Sequence, residues 1–160
     1  MTTTHQIRPA RFPEDAETVR QLFRDYANWL ALDLDFQDFE AELAALPGKY
    51  AEPGGIVLLA FDPEGTALGC VAMRPLEDGA CEMKRMFLLD AARGSGLGKA
   101  LAVEVMARAH AAGYRRMVLD SLDRLTGAIR LYQRLGFTNI PAYYPNPLPD
   151  VIYMGRDLPA

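Results

Sequence analysis

Three glycines alternate with other residues in the segment RGSGLGK at positions 93–99, between an apolar stretch and an alanine-rich stretch. Glycine tolerates positive φ and lets a ligand come close to the backbone. The first turn of a following helix adds unpaired N–H groups and the positive end of the helix dipole. This segment therefore predicts a binding turn for a phosphate or pyrophosphate group.

Spacing excludes two better-known phosphate loops. The dinucleotide fingerprint G-x-G-x-x-G would need a glycine where the chain has Lys99. The P-loop G-x-x-x-x-G-K-[ST] fails at Arg93 and again at Ala100. The pattern that remains is R-x-x-G-x-G, which runs from Arg93 through Gly96 to Gly98.

A second informative segment is AIRLYQRLGF at positions 128–137. At helical spacing, Ala128, Leu131, Tyr132 and Leu135 share one face, and Gly136 is suited to ending the helix. The first alternative for Tyr132 is an aromatic side chain packed on an amphipathic helix.

Together the two segments resemble motifs of the GNAT superfamily of N-acetyltransferases. The first is similar to the acyl-CoA pyrophosphate loop Q/R-x-x-G-x-G/A, and the second is similar to N-x-x-A-I-x-L-Y-x-x-x-G-F. Both occur in the family's order and at its separation, and the resemblance covers essentially the whole chain. The sequence YYPNP at 143–147 also resembles a Y-Y-x-N-P element of some small GNAT proteins.

The resemblance implies acetyl-CoA as the cofactor. The pyrophosphate is expected on the backbone N–H groups of the glycine-rich segment, with positive charge from its two cationic side chains. In the family, the preceding strand diverges from its neighbour and offers backbone groups to pantetheine and to the thioester carbonyl. The implied cofactor-binding residues are Met86, Phe87, Leu88, Arg93, Gly94, Ser95, Gly96, Leu97, Gly98 and Lys99, together with Tyr132.

Acetyl transfer requires a base for the amine and an acid for the departing thiolate. The resemblance assigns the general acid to the Tyr132 hydroxyl. For the general base we rank Glu82 first and Asp120 second, and an acceptor of low intrinsic pKa would need neither. The alternative for either residue is a solvated or ion-paired carboxylate, and Glu82 would then form a charged strand surface with Lys84 and Arg85.

The family's variable walls, which are the N-terminal helices and the C-terminal hairpin, are expected to bind the acceptor. Arg85 is a candidate for pairing with an acceptor carboxylate. Tyr143 and Tyr144, in the proline-rich stretch 141–149, are candidates for a stiff lid. The full set of aromatic candidates is Tyr26, Trp29, Phe36, Tyr50, Tyr143 and Tyr144, with core packing as the alternative for Trp29 and Phe36.

One position departs from the family pattern. The asparagine expected seven residues before Tyr132 is Leu125, which cannot make the polar contact of an amide. A hydroxyl from Ser121 or Thr126 is a possible substitute. This departure leaves open a CoA-binding sensor that retains the fold without efficient chemistry.

The elements predict an α/β fold of the α+β type, with a mixed, mostly antiparallel sheet of about six to seven strands and helices on both faces. We expect helices from Pro13 to about Leu32 and from Phe36 to about Leu46. Strands are expected at 6–8, 55–61, 68–75, 80–89, 116–120, 137–140 and 151–154, with helices following the glycine-rich segment and ending at Gly136. The unit from Ala80 to Leu119 predicts a parallel crossover.

Composition predicts one domain in 160 residues, half of them hydrophobic. The net charge of −4 argues against a nucleic-acid surface, and two isolated cysteines with two histidines predict no metal site. Without a secretion-like start or an apolar run of ~18 to 20 residues, we expect a cytoplasmic protein with no membrane partner. The oligomeric state stays open, with a homodimer as one alternative.

These features predict an N-acetyltransferase that moves an acetyl group from acetyl-CoA to a primary amine by direct attack in a ternary complex. A small molecule or an amino acid is the expected acceptor. A protein N-terminus or a lysine side chain is the second possibility, and the CoA-binding sensor is the third.

Overall fold

A seven-stranded sheet lies at the centre of the molecule in the computed structural model, which describes residues 5–31 and 38–158. The strands are β1 (Gln6–Pro9), β2 (Ile56–Phe61), β3 (Ala67–Pro75), β4 (Ala80–Leu88), β5 (Arg116–Leu122), β6 (Thr138–Asn139) and β7 (Val151–Asp157). Their spatial order is β1-β2-β3-β4-β5-β7-β6. Only the β4–β5 pair is parallel among these strands, so the predicted mixed and mostly antiparallel sheet is confirmed.

Helices cover both sides of this sheet. They are α1 (Ala16–Leu30), α2 (Phe39–Ala44), α3 (Leu97–Ala111) and α4 (Thr126–Arg134). Side chains of α1 and α2, including Phe23 and Leu43, pack in one apolar cluster. Those of α3 and α4, including Leu101 and Tyr132, pack in the other. We refer to the two faces of the sheet as the α1 side and the α3 side.

The first two helices are shorter than the sequence predicts. Helix α1 begins at Ala16 rather than Pro13, because the Asp15 carboxylate binds the Arg11 amide and the Arg8 guanidinium ahead of it. It ends at Leu30, and Ala31 has a left-handed backbone at φ 56°. Helix α2 ends at Ala44 rather than at the predicted Leu46. Leu46 precedes Pro47, and a residue before proline disfavours the helical region. The predicted start of α2 at Phe36 lies outside the described residues.

The C-terminal hairpin differs from its prediction in length. Strand β7 extends to Asp157 rather than Met154, because it pairs along the full length of β5. Strand β6 is only two residues long and pairs with the other edge of β7. The predicted hairpin is present, and its second strand lies between β5 and β6.

A β-bulge interrupts β4 in the middle of the sheet. Cys70 of β3 pairs with Phe87, while Ala72 pairs with Lys84, so one more residue stands on β4 than on β3 between these pairs. Arg85 lies within the bulge with φ of 60°, which is uncommon for a residue other than glycine. The bulge interrupts the two-residue alternation of side chains along the strand.

Candidate active site

Strands β4 and β5 pair at one end only and then diverge. Their parallel register covers Ala80, Cys81 and Glu82 of β4, and no pairing continues beyond Glu82. The separated segments, residues 83–86 of β4 and 119–122 of β5, line a cavity of about 90 Å³. This cavity, which we call the cleft, lies where the sequence predicts strand divergence.

The glycine-rich segment connects the end of β4 to α3. Gly94 and Gly96 both have positive φ, at 78° and 84°, and a Cβ added to either would meet no atom within 4 Å. Gly96 precedes the helix without a side-chain cap, and the first i to i−4 bond runs from the Ala100 amide to its carbonyl. The amides of Gly98 and Lys99 therefore belong to the unpaired first turn of α3. This arrangement fits an anion.

Arg93 is less available to an anion than the sequence suggests. Its Nε donates to the Leu88 carbonyl at 3.2 Å, and its Nη1 lies 2.9 Å from Asp90 Oδ1. The guanidinium also stacks over the Trp29 ring, at 4.6 Å from the centroid. Trp29 is 42% exposed and lines the cleft, so the alternative that Trp29 packs in the core is wrong.

Tyr132 of α4 reaches the cleft from the α3 side. Its ring packs edge-on against Phe137 at 5.9 Å between centroids and is only 6% exposed. Burial, with nearby Tyr26 and Asp120, raises the pKa of the Tyr132 hydroxyl well above its usual range. The hydroxyl consequently holds its proton at neutral pH.

Asp120 of β5 lines the same cleft from the α1 side. It alternates along the strand with Leu119, whose side chain packs in the core on the α3 side. Its carboxylate accepts a hydrogen bond from the Tyr144 hydroxyl. Burial raises the pKa of this carboxyl group even though the Tyr144 bond and the charge of Lys84 oppose the shift.

Glu82 occupies a different environment and does not line the cleft. Its side chain is 1% exposed and accepts hydrogen bonds from Arg74 Nε at 2.7 Å and from the Tyr143 hydroxyl at 2.6 Å. Burial acts to raise the pKa of Glu82, but Lys84, Tyr143 and Arg74 outweigh it, and the pKa is lowered. The geometry therefore favours Asp120 over Glu82 as a proton acceptor, the reverse of the ranking from sequence.

Tyr143 and Tyr144 stand in a loop, residues 141–149, that covers the α1 side of the sheet beyond the helices. Each phenol donates to one of the two carboxylates described above. Asn146 fixes the loop, because its Nδ2 donates to the Tyr144 oxygen at 2.8 Å and its Oδ1 accepts the Leu148 amide at 2.9 Å. Asn146 also lines the cleft. Sequence reasoning missed it, although it is part of the Y-Y-x-N-P element.

The guanidinium of Arg85 is engaged within the chain. Two of its nitrogens donate to Glu42 of α2, at 3.1 Å from Nε to Oε2 and at 3.0 Å from Nη2 to Oε1. It also lies over the rings of Tyr26 and Phe39. Because Arg85 is 4% and Glu82 is 1% exposed, a solvated strand surface is wrong for both. The ion-paired alternative for Glu82 agrees with its pairs to Arg74 and Lys84.

Lys84 lies beside Arg85 and was assigned no binding role from sequence. It lines the cleft, and its side chain is 9% exposed. Burial, followed by the charge of Arg85, lowers the pKa of the Lys84 ammonium to about 8. The signal in the sequence is the two adjacent cations, but nothing there indicates the bulge that sets their directions.

Comparisons with known proteins agree with this geometry. A sequence model of the acetyltransferase (GNAT) family matches residues 16–137. The chain belongs to the GNAT family of acetyltransferases. It is 43% identical over 153 residues to an uncharacterised N-acetyltransferase of Schizosaccharomyces pombe, covering 95% of this chain and 94% of that protein. It is 34% identical to the uncharacterised N-acetyltransferase YjgM of Escherichia coli, covering 80% and 77% of the two chains.

Solved GNAT structures share the fold. An acetyltransferase of Staphylococcus aureus superposes with a TM-score of 0.81 at 20% identity, over 98% of this chain and 100% of the other. A phosphinothricin acetyltransferase of Sinorhizobium meliloti, solved with acetyl-CoA, superposes with a TM-score of 0.76 at 24% identity, over 99% and 89% of the chains. In residues 5–31 and 38–158, no helix is both long and apolar enough to cross a membrane.

The departure from the GNAT pattern at Leu125 is visible in the cleft. Leu125 immediately precedes α4, lines the cleft, and makes no side-chain cap to the helix. Ser121 lines the cleft as well, whereas Thr126 is the first residue of α4. Of the two hydroxyls considered as substitutes, Ser121 is therefore the better placed.

Proposed function

We propose that the protein transfers an acetyl group from acetyl-CoA to the primary amine of a small molecule or amino acid, in a ternary complex. The observation that carries this proposal is the cleft between β4 and β5, which Asp120 lines from one side of the sheet and Tyr132 from the other. The cleft is adjacent to a turn whose open backbone amides fit a pyrophosphate group.

Acetyl-CoA supplies the activated acetyl thioester when it is bound. Residues 94–99 would hold its pyrophosphate through the amides of the first turn of α3, with Lys99 adding positive charge. The edge of β4 that faces β5 lacks a strand partner beyond Glu82 within the described residues, so backbone groups of Met86, Phe87 and Leu88 are the candidates for pantetheine. The relative solved with acetyl-CoA supports this choice of cofactor.

Two side chains handle protons on opposite sides of the sheet. The Asp120 carboxylate accepts a proton from the acceptor amine, a task suited to a carboxyl group whose pKa is raised toward neutrality. The Tyr132 hydroxyl, whose pKa is also raised, keeps its proton available for the departing thiolate. The acid and the base therefore lie on opposite sides of the reacting groups.

The 141–149 loop favours a small acceptor over a polypeptide. Its two phenol–carboxylate hydrogen bonds hold it across the α1 side of the sheet. A relative named N-acetylaspartate synthetase, from Homo sapiens, is 32% identical over 124 residues. That name also favours an amino acid as the acceptor. Leu125 is the one observation that supports the CoA-binding sensor instead.

Calorimetric titration with acetyl-CoA, followed by thiol release against a panel of amines and amino acids, tests the proposal. We expect binding and amine-dependent release of thiol. Binding without release against any amine would favour the sensor, and absence of binding would exclude the assignment of residues 93–99.

Replacement of the proposed base provides the second part of the test. Asp120→Asn should lower kcat by about 10²- to 10⁴-fold, because general-base catalysis is lost. The Kd of acetyl-CoA should stay unchanged. Asp123→Asn is the matched control, since Asp123 is exposed three residues along the chain. An Asp120→Asn enzyme with normal kcat would eliminate this residue as the base.

A further inference from the structure

The side chain of Asn146 connects the backbone of the 141–149 loop to the phenol that contacts the proposed base. We propose that Asn146 is a positioning residue for Asp120, because its amide directs the Tyr144 hydroxyl to donate to that carboxylate. This inference rests on the proposed function for the catalytic role of Asp120, whereas the hydrogen bonds that carry it are independent of that role.

The orientation of the Asn146 amide is fixed by the backbone. Its Oδ1 accepts the amide of Leu148, two residues further along the chain, at 2.9 Å. This contact is typical of a turn that begins at asparagine, and Pro147 between the two residues favours such a turn. A backbone N–H can only donate, so the amide oxygen must face Leu148 and Nδ2 must face Tyr144.

The direction of the next hydrogen bond follows from this orientation. The amide nitrogen of asparagine donates and does not accept, so the phenol oxygen is the acceptor in the 2.8 Å contact between Asn146 and Tyr144. The hydroxyl proton must point elsewhere, and it is donated to Oδ2 of Asp120. A chain of hydrogen bonds with one direction therefore runs from the loop backbone, through Asn146 and Tyr144, to the Asp120 carboxylate.

Other contacts hold the ring of Tyr144 in place. The ring packs against Tyr143 and Tyr153, with centroids 5.4 and 5.7 Å away. The backbone carbonyl of Tyr144 accepts the Tyr153 hydroxyl at 2.8 Å, which ties the loop to β7. Removal of the Asn146 amide should therefore leave the phenol beside Asp120 and change the direction in which its proton points.

A hydrogen bond to the Asp120 carboxylate favours the form that can accept a proton. Among residues 5–31 and 38–158, the ionisable groups that interact with Asp120 are Glu82, Lys84 and Arg85 of β4, Tyr26 of α1, Tyr132 of α4, Tyr153 of β7, and Tyr143 and Tyr144 of the loop. Burial raises the pKa of Asp120, and the Tyr144 hydrogen bond opposes this shift more strongly than the charge of Lys84 does. Burial and Asp120 raise the pKa of the Tyr144 hydroxyl, and the Asn146 bond opposes them, which makes the phenol a stronger donor.

Asn146→Asp would reverse the direction of the second hydrogen bond. A carboxylate can form the same turn with the Leu148 amide, but it has no hydrogen to donate to Tyr144. Its second oxygen would instead compete with Asp120 for the hydroxyl proton. The requirement for a donor thus explains why asparagine, rather than aspartate, serves at this position.

The test measures the titration of Asp120 directly. Aspartate carboxyl resonances are followed against pH by carbon-13 NMR in protein without acetyl-CoA or acceptor, and Asp120 is assigned by its loss in Asp120→Asn. Asn146→Ala should raise the midpoint of the Asp120 titration by about 0.5 to 1 pH unit, as expected for the loss of an ordinary hydrogen bond. Asn146→Asp should raise it further, because the new carboxylate adds negative charge and attracts the Tyr144 proton. Asn139→Asp, on the exposed surface of β6, is the control for added charge.

A double substitution shows whether Asn146 acts through the phenol. In a Tyr144→Phe background, Asn146→Ala should cause no further shift of the Asp120 titration. Circular dichroism of each variant serves as the folding control. In the acetyl-transfer assay, Asn146→Asp should move the acidic limb of kcat/KM to higher pH, since a carboxyl group of raised pKa is protonated at higher pH.

The outcomes separate this proposal from the proposed function. An Asp120 titration that is unchanged in both Asn146 variants overturns the proposal, and so does an Asn146→Ala shift of equal size with and without the Tyr144 hydroxyl. The expected shifts support it even if no acetyl group is transferred. A shifted titration with an unmoved acidic limb would contradict the proposed function, in which Asp120 is the base, and not the effect of Asn146 on its ionisation.

Discussion

Glu82 and Asp120 show how neighbouring residues set the chemistry of two similar carboxyl groups. Both project to the α1 side, and each accepts one tyrosine hydroxyl. Glu82 additionally has Arg74 and Lys84 within 4 Å, and its pKa is lowered. Asp120 is partly buried without an ion pair this close among the described residues, and its pKa is raised. This difference is the reason for which we propose Asp120, and not Glu82, as the base.

Removal of the phenol from Tyr144 tests this difference. Several ionisable groups interact with Asp120. They are Glu82, Lys84 and Arg85 of β4, Tyr26 of α1, Tyr132 of α4, Tyr153 of β7, and Tyr143 and Tyr144 of the loop. Tyr144→Phe removes a hydrogen bond that stabilises the carboxylate, so the pKa of Asp120 should rise further. The acidic limb of kcat/KM against pH should move to higher pH.

Tyr143→Phe is the matched control for that measurement. It deletes the equivalent hydroxyl from the neighbouring ring, but this hydroxyl donates its hydrogen bond to Glu82, which does not line the cleft, and none to Asp120. The acidic limb should therefore stay in place. Identical shifts in the two variants would contradict the assignment of the limb to Asp120.

At the scale of elements, the turn at residues 93–99 depends on backbone conformation more than on side chains. Gly96 has φ of 84°, so a substitution there is strained even though its Cβ would meet no atom. Gly98 has ordinary φ, and an added Cβ would only contact Leu88 and Leu131 at 3.5 and 3.8 Å. Position 96 therefore requires glycine for its backbone conformation, whereas position 98 accepts a larger residue.

Alanine at each of these positions should separate the two requirements. Gly96→Ala should weaken acetyl-CoA binding, because the strain of about 1–2 kcal/mol is relieved by moving the amides of the turn. Gly98→Ala should bind normally, since alanine favours the helix that begins there. Calorimetry with acetyl-CoA measures both, and equal affinity of the two variants would contradict the role given to the backbone of Gly96.

The bulge in β4 is supported by the Arg85–Glu42 pair, which joins the middle of the sheet to α2. Glu42→Gln would remove the carboxylate that binds two nitrogens of the buried Arg85 guanidinium. We expect a loss of about 3–5 kcal/mol in the free energy of unfolding, measured by urea denaturation. Glu40→Gln is the control, because Glu40 pairs with Arg24 on the exposed surface of the same helix. A loss below about 1 kcal/mol for Glu42→Gln would contradict the structural role of this pair.

On the scale of the whole molecule, the central strands protect both cysteines. Cys70 of β3 and Cys81 of β4 are free thiols with no exposed surface, as predicted for small buried hydrophobic residues. Burial raises the pKa of both thiols to about 12, so the reactive thiolate is scarce at neutral pH.

We therefore expect no reaction of native protein with a thiol reagent at pH 8, and two thiols per chain after denaturation. Their exposure should follow the same urea transition as circular dichroism. A cysteine that reacts in the native state would show that the sheet opens locally around it. Because the native cysteines do not react, an assay of thiol release measures acetyl transfer without a background from the protein.

The sequence by itself determined the family, the order of the elements and the position of the glycine-rich turn. These features depend on local chemistry, because a glycine with positive φ, a helix face and a strand of alternating residues are each encoded within a few positions. The segments 93–99 and 128–137 were sufficient for that reason.

Only the tertiary structure decided which charged residues line the cleft. The burial of Glu82 between Arg74 and Tyr143, the contact of Arg85 with Glu42, and the position of Lys84 in the cleft all join residues distant in the chain or depend on the bulge. A bulge without glycine leaves no local signal, yet it redirects every side chain that follows it. The choice between the two carboxylates therefore required the packed sheet.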